Sequence, residues 1–165
     1  MSNRHLARWG AAMMFGLSLA SAANLVAAEP ATLRFEPQTT LEVVARRMGI
    51  TLRPEVALPE VRFESATPIE RFRDAVERQW GSRPARFSNA YVPASNEVFL
   101  IDDPSYYAAT GRTLDDSLAH ELVHYLQAHY RHADLAGEIE ELEAVQLQSW
   151  FRSEQMRTKV VDASR

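Results

Sequence analysis

His120-Glu121-Leu122-Val123-His124 lies inside a longer run, Thr113 to Tyr130, whose apolar residues recur with helical spacing. On a helix each residue advances by about 100°, so residues four apart sit about 40° from one another and one turn along the axis. Both imidazoles therefore share one face, with Glu121 about 60° round from His124. Taking His120 as 0°, Leu114, Leu118, Ala119, Leu122, Val123, Tyr125, Leu126 and Tyr130 fall between about 120° and 300°, a wide apolar face for the core. The expected helix is buried on one side and open to a cleft on the other. Thr113 is placed to cap the backbone N–H of Asp116, whose carboxylate answers the positive end of the helix dipole.

Two neutral imidazoles so placed can bind one Zn²⁺ at about 2.0–2.1 Å each, and the neighbouring carboxylate can reach a water at the metal without being a ligand itself. The HExxH pattern therefore points to zinc-dependent hydrolysis, with His120 and His124 as ligands and Glu121 as general base. Histidine usage agrees: apart from His5, the chain's histidines (His120, His124, His129 and His132) all crowd into this stretch. His129 falls at about 180°, opposite His120, and reads as a core or helix-end residue. His132 reads as solvated. Ser117 and Gln127 share the ligand face and are candidates for hydrogen bonds to the ligands.

Catalytic zinc usually has three protein ligands and an open position, so one more residue is required. The following helix, about Glu138 to Arg152, offers Glu138, Glu140, Glu141 and Glu143. Its apolar residues Ile139, Leu142, Val145, Leu147, Trp150 and Phe151 spread too widely for the wheel to choose among them. Asp134, in the turn after Tyr130, is a further candidate.

The pair HELVHYLQ (120–127) and ELEAVQLQ (141–148) resembles the zincin metallopeptidases, specifically the gluzincin-type arrangement in which a glutamate from a second helix completes the site. The resemblance covers about Thr113 to Phe151, plus the preceding hairpin. In several such families the ligand glutamate is followed three residues later by a small residue, often Ala, which maps onto Glu141 and Ala144 here. It thus implies Glu141 as third ligand, a zinc cofactor, and a zincin-like peptidase cutting peptide or protein substrates. The residue after that Ala is often Asp, Asn or Tyr, whereas this chain has Val145. A metzincin-type extension does not fit, because position 127 is Gln and His129 and His132 miss the spacing. A second hypothesis is a catalytically weak zincin-like binding or assembly module in the cell envelope; a third is an exported α+β domain with a chance motif. For the oxyanion, Tyr91, Tyr106 and Tyr107 are equal candidates.

Working outward, Leu41, Val43, Val44, Ala45 and Met48 predict a helix capped by Thr39 or Thr40 and ended by Gly49. Ile50 to Leu52 reads as a short strand, and Pro54 to Pro68, with three prolines, as loop or edge strand. Ile69, Phe72, Val76 and Trp80 predict a second helix from Pro68 to Trp80. Residues 86–92 and 97–101, separated by Pro93-Ala94-Ser95-Asn96, read as a hairpin, whose edge beside a cleft could pair with an extended peptide. Asp102 and Asp103 read as a turn, followed by a loop carrying Tyr106, Tyr107 and Gly111. The fold class expected is α+β: a small zincin-like domain with a short antiparallel hairpin packed on the HExxH helix and a second ligand-bearing helix. The segment from Glu29 to Gly81 then serves mainly as packing support.

The first residues have the parts of a secretory signal: Arg4, His5 and Arg8, an apolar run from Trp9 to Leu19, and small residues before Glu29. Residues 1–28 are read as a signal peptide cleaved after Ala28, and 29–165 as a single domain, exported to the periplasm or secreted. The mature form is expected not to span a membrane. With no cysteine there is no disulfide, no lipid attachment site and no thiol nucleophile. Removing Arg4 and Arg8 from the 18 basic residues leaves 16 against 22 acidic ones, a net charge of −6. That balance disfavours nucleic acid and anionic membrane as partners.

Overall fold

The computed structural model describes residues 28–162 and shows an α+β chain built around one three-stranded sheet. The signal-peptide reading lies outside the described residues apart from Ala28. In chain order the elements are α1 (Pro37–Arg47), β1 (Glu60–Phe63), α2 (Ile69–Trp80), β2 (Ala90–Val92), β3 (Glu97–Leu100), α3 (Pro104–Thr110), α4 (Leu114–Arg131) and α5 (Glu138–Asp162). No helix among the described residues is long and apolar enough to cross a membrane.

The sheet has the order β1-β3-β2 and is mixed, not purely antiparallel. The expected hairpin forms, with Tyr91 opposite Val98, and is joined by a single 3₁₀ turn at Pro93–Ser95 and by Asn96 in the left-handed region at φ +50°. What the hairpin reading lacks is β1, which pairs in parallel with β3 in the register Val61 to Val98. Pro59 stands just before β1, at an edge where no ladder hydrogen bond is lost. The central strand β3 is buried along its whole length. Val98 and Leu100 join the main core with α1, α4 and α5, while Phe99 packs with Phe72, Val76, Phe87 and Val92 under α2. Glu97, on the α2 side, is 1 % exposed and is matched by Arg62 and by Arg71, the latter 2.6 Å away.

Helix α4 is the spine of the main core. Leu114, Leu118, Ala119, Leu122, Val123, Tyr125 and Leu126 are all buried, each large apolar side chain contributing roughly 1.5–3 kcal/mol. Its start follows the sequence: Thr113 Oγ1 accepts from the Asp116 N–H at 3.1 Å, and Asp116 Oδ2 accepts from the Thr113 N–H at 3.0 Å. Asp115 lies beside this cap, 2 % exposed, and accepts the N–H groups of Arg34 and Phe35, which ties the N-terminal lead-in to the helix.

Four local expectations change. Helix α1 begins at Pro37, so Thr40 lies inside it, buried, with no capping role; Pro at the first helical turn supplies the start instead. Residues 50–52 are not a strand: they have no ladder partner, and the Ile50 N–H bonds back to the Ala45 carbonyl at the end of α1. Asp103 is an N-cap, accepting the Ser105 N–H at 2.8 Å, and the expected loop becomes the short helix α3. Helix α5 runs on past Arg152 to Asp162.

Candidate metal centre

His120 and His124 leave α4 on the face away from the core, and Glu141 reaches them from the first turns of α5. The two histidine Nε2 atoms are 3.2 Å apart, and Glu141 Oε2 lies 3.6 Å from that of His120 and 3.3 Å from that of His124. Three atoms bound tetrahedrally at about 2.0–2.1 Å are separated by about 3.3–3.4 Å, and the three edges bracket that value. The group can hold a metal ion.

The electrostatics suit a cation. Burial, reinforced by neighbouring His124, pushes the His120 imidazole down to about 4, so the ring is neutral and its lone pair available at neutral pH. Glu141 is more than half exposed and supplies the negative charge. The remaining glutamate candidates are elsewhere or occupied: Glu143 accepts from Gln127 Nε2 at 3.0 Å and from Arg131 at 2.8 Å, and Glu138 and Glu140 are not in the donor group. Asp134 accepts the Ala136 N–H in the α4–α5 turn.

Two glutamines hold the ligand helices in register. Gln127, on α4, places Oε1 2.9 Å from His124 Nδ1 and donates its amide N–H to the Glu140 carbonyl on α5 at 2.9 Å. One side chain thus orients a ligand ring and clamps the two helices, the role its place on the ligand face implied. Gln148, on α5, donates to Asp116 Oδ1 at 2.8 Å and lies beside the His120 ring. Its significance was readable in principle, since residues seven apart return to nearly the same face of a helix as Glu141. Ser117, the other residue on the ligand face, lines the cleft but bonds neither histidine.

Glu121 is 5 % exposed. Its Oε2 accepts the Tyr91 N–H of β2 at 2.8 Å, and the residue also lines the cleft. Burial raises its carboxyl to about 8 despite that hydrogen bond. Of the three tyrosines, Tyr91 turns its hydroxyl to His129 Nε2 (2.8 Å) and Asn96, and Tyr107 gives its hydroxyl to the Ile101 carbonyl. Tyr106 lines the cleft. His129 therefore belongs to the Tyr91 network, and His132 caps α4 in the left-handed region at φ +53°, exposed.

The cleft above the donor group has a volume of about 510 Å³. Trp80, Phe87 and Ile101 give it an apolar wall, and Arg112 a cationic one; the sequence reading flagged none of these for function. The fold and site define a small α+β domain with a helix-borne, three-donor group able to hold a metal ion. No family model matches the sequence, and comparison with curated proteins and with solved structures finds no match.

Proposed function

We propose that the chain is a zinc-dependent hydrolase of peptide or related amide bonds, acting outside the cytoplasm. The observation that carries the reading is one juxtaposition. His120, His124 and Glu141 converge at tetrahedral spacing, and the next residue on the helix, Glu121, enters the same cleft. Two histidines and one carboxylate are a donor set that suits Zn²⁺ and leaves an open position.

His120, His124 and Glu141 would hold the zinc ion, which would supply Lewis acidity and make water a stronger acid. The chain's own residues do the rest. Glu121, held against β2 by the Tyr91 N–H and protonated near neutrality in the metal-free chain, would be favoured as a carboxylate by a cation at the donor group, and in that form takes a proton from water and delivers it to the leaving nitrogen. Gln127 keeps His124 presenting Nε2 to the donor group. Trp80, Phe87 and Ile101 exclude water from one side of the reacting bond and receive an apolar side chain.

The test is metal content by mass spectrometry on the purified domain, followed by a peptide-library screen with and without a zinc-directed hydroxamate. One zinc per chain with hydroxamate-sensitive cleavage supports the reading. One zinc with no cleavage of any peptide transfers the site to the binding-module alternative, and no zinc ends both.

A further inference from the structure

Arg112 sits at the junction of α3 and α4 on a backbone pinned from both sides. Before it, Gly111 takes φ +65° and its carbonyl accepts from Arg152 at 3.0 Å. After it, Thr113 enters the capping box of α4. The guanidinium is exposed, lines the cleft, and makes no hydrogen bond or ion pair among the described residues. Among the described residues it is the one arginine that lines the cleft, whereas Arg62, Arg71, Arg83 and Arg131 meet carboxylates elsewhere. Its charge is felt at both His120 and Glu121.

We propose that Arg112 is a specificity residue that binds a carboxylate of the substrate, an inference that rests on the hydrolase reading. A planar guanidinium with all its donors unspent is matched by a carboxylate, which it can hold through two parallel hydrogen bonds. Charge interactions reach about 10 Å in dilute salt and an extended residue spans about 3.3–3.6 Å. A carboxylate on Arg112 therefore belongs to one of the few residues next to the bond at the donor group. Trp80, Phe87 and Ile101 line the same cleft and suit a large apolar side chain beside that anion. The carboxylate is either the free C-terminus of a short peptide or an Asp or Glu side chain.

The experiment is calorimetric titration of the zinc-loaded protein with three peptide hydroxamates of one apolar sequence. One ends in a free carboxylate, one in an amide, and one in an amide with Glu in place of its last residue. The free acid, the Glu peptide or both should bind roughly 10- to 100-fold more tightly than the plain amide, and which of them does identifies the source. Arg112→Gln should erase the difference with zinc content unchanged, and Arg112→Lys should restore part of it. Equal binding of all three to the wild type overturns the proposal, as does equal weakening of all three in Arg112→Gln. Binding of none overturns the hydrolase reading and this proposal with it.

Discussion

The backbone N–H of Tyr91 donates to Oε2 of Glu121 at 2.8 Å, joining the edge strand β2 to the ligand-bearing helix across 30 residues of chain. Tyr91 stands opposite Val98 in the sheet, yet its N–H points away from β3, toward the helix. The outer edge of β2 at this position is thus engaged by the carboxylate itself. Glu121 is held at a fixed distance from the strand while its neighbours on the helix hold the donor group.

The first prediction follows from that placement. Glu121→Gln preserves the carbonyl that accepts the Tyr91 N–H, so the fold and the zinc content should remain. Hydrolysis should fall by about 10²- to 10⁴-fold, the usual contribution of a positioned general base. Steady-state kinetics beside metal analysis checks both halves; full activity in the Gln variant would end the mechanism.

A second prediction concerns pH in the metal-free protein. Burial raises Glu121 from 4.5 to about 8, so the folded state holds this proton more tightly than the unfolded chain does. Its stabilising contribution is complete below about pH 4.5 and is lost as pH rises through 8. Denaturant unfolding at pH 5 and pH 8 should show the wild type losing more stability than Glu121→Gln, by an amount on the order of a few kcal/mol. His120 is shifted the other way, to about 4, so its contribution is lost as pH falls from 6.5 through that value; between pH 5 and 6.5 it acts in both proteins alike and cancels in the difference between them. An identical loss in the two proteins between pH 5 and 8 would contradict the burial argument.

The third prediction separates the ligands from their supports. His120→Ala and Glu141→Ala each remove one vertex of the donor triangle and should abolish stoichiometric zinc. Gln127→Leu removes the partner of His124 Nδ1 and one tie to α5, and should weaken zinc by about 10- to 100-fold. Zinc titrations against a chelator of known affinity rank the three. Glu143→Ala, which breaks the contacts to Arg131 and Gln127 instead, should leave zinc binding within a few fold.

The α4 helix, its capping box and the pairing of the two histidines were legible because each rests on local rules: spacing at 3.6 residues per turn and a Thr with Asp three positions on. The α5 helix defeated the wheel for a physical reason. Ile139, Leu142 and Val145 are apolar but 79 %, 58 % and 38 % exposed, whereas Ala144, Leu147 and Phe151 carry the contact with the core. Only the small-residue pattern of the resemblance singled out Glu141. Strand β1 falls within Pro54 to Pro68, read as loop or edge strand, and lies at the sheet edge; its partner was not legible, because the pairing with β3 is parallel and distant in sequence, a contact no local pattern encodes. The cleft walls share that origin: Trp80 ends α2 and Arg112 precedes α4, and tertiary packing alone brings them together.

The last prediction tests how the lead-in is anchored. Asp115, which the sequence reading passed over, is 2 % exposed and accepts two backbone N–H groups, from Arg34 at 2.9 Å and Phe35 at 3.0 Å. Phe35 in turn packs edge-on to Phe151 of α5, with ring centroids 5.8 Å apart. Asp115→Ala leaves both N–H groups without this acceptor, which costs about 1–3 kcal/mol when such groups stay buried. The donor triangle lies on the opposite side of α4 from that contact, so zinc stoichiometry should be unchanged while the denaturant midpoint drops. Asp115→Asn retains an accepting oxygen and should recover part of the loss. Hydrogen exchange at Arg34 and Phe35 should rise in Asp115→Ala ahead of global unfolding, because the lead-in can detach while α1, α4 and α5 remain packed. Unchanged exchange and midpoint in Asp115→Ala would mean that the segment is held without Asp115, by contacts such as the Phe35 packing and the Ala31 N–H to the Asp102 carbonyl.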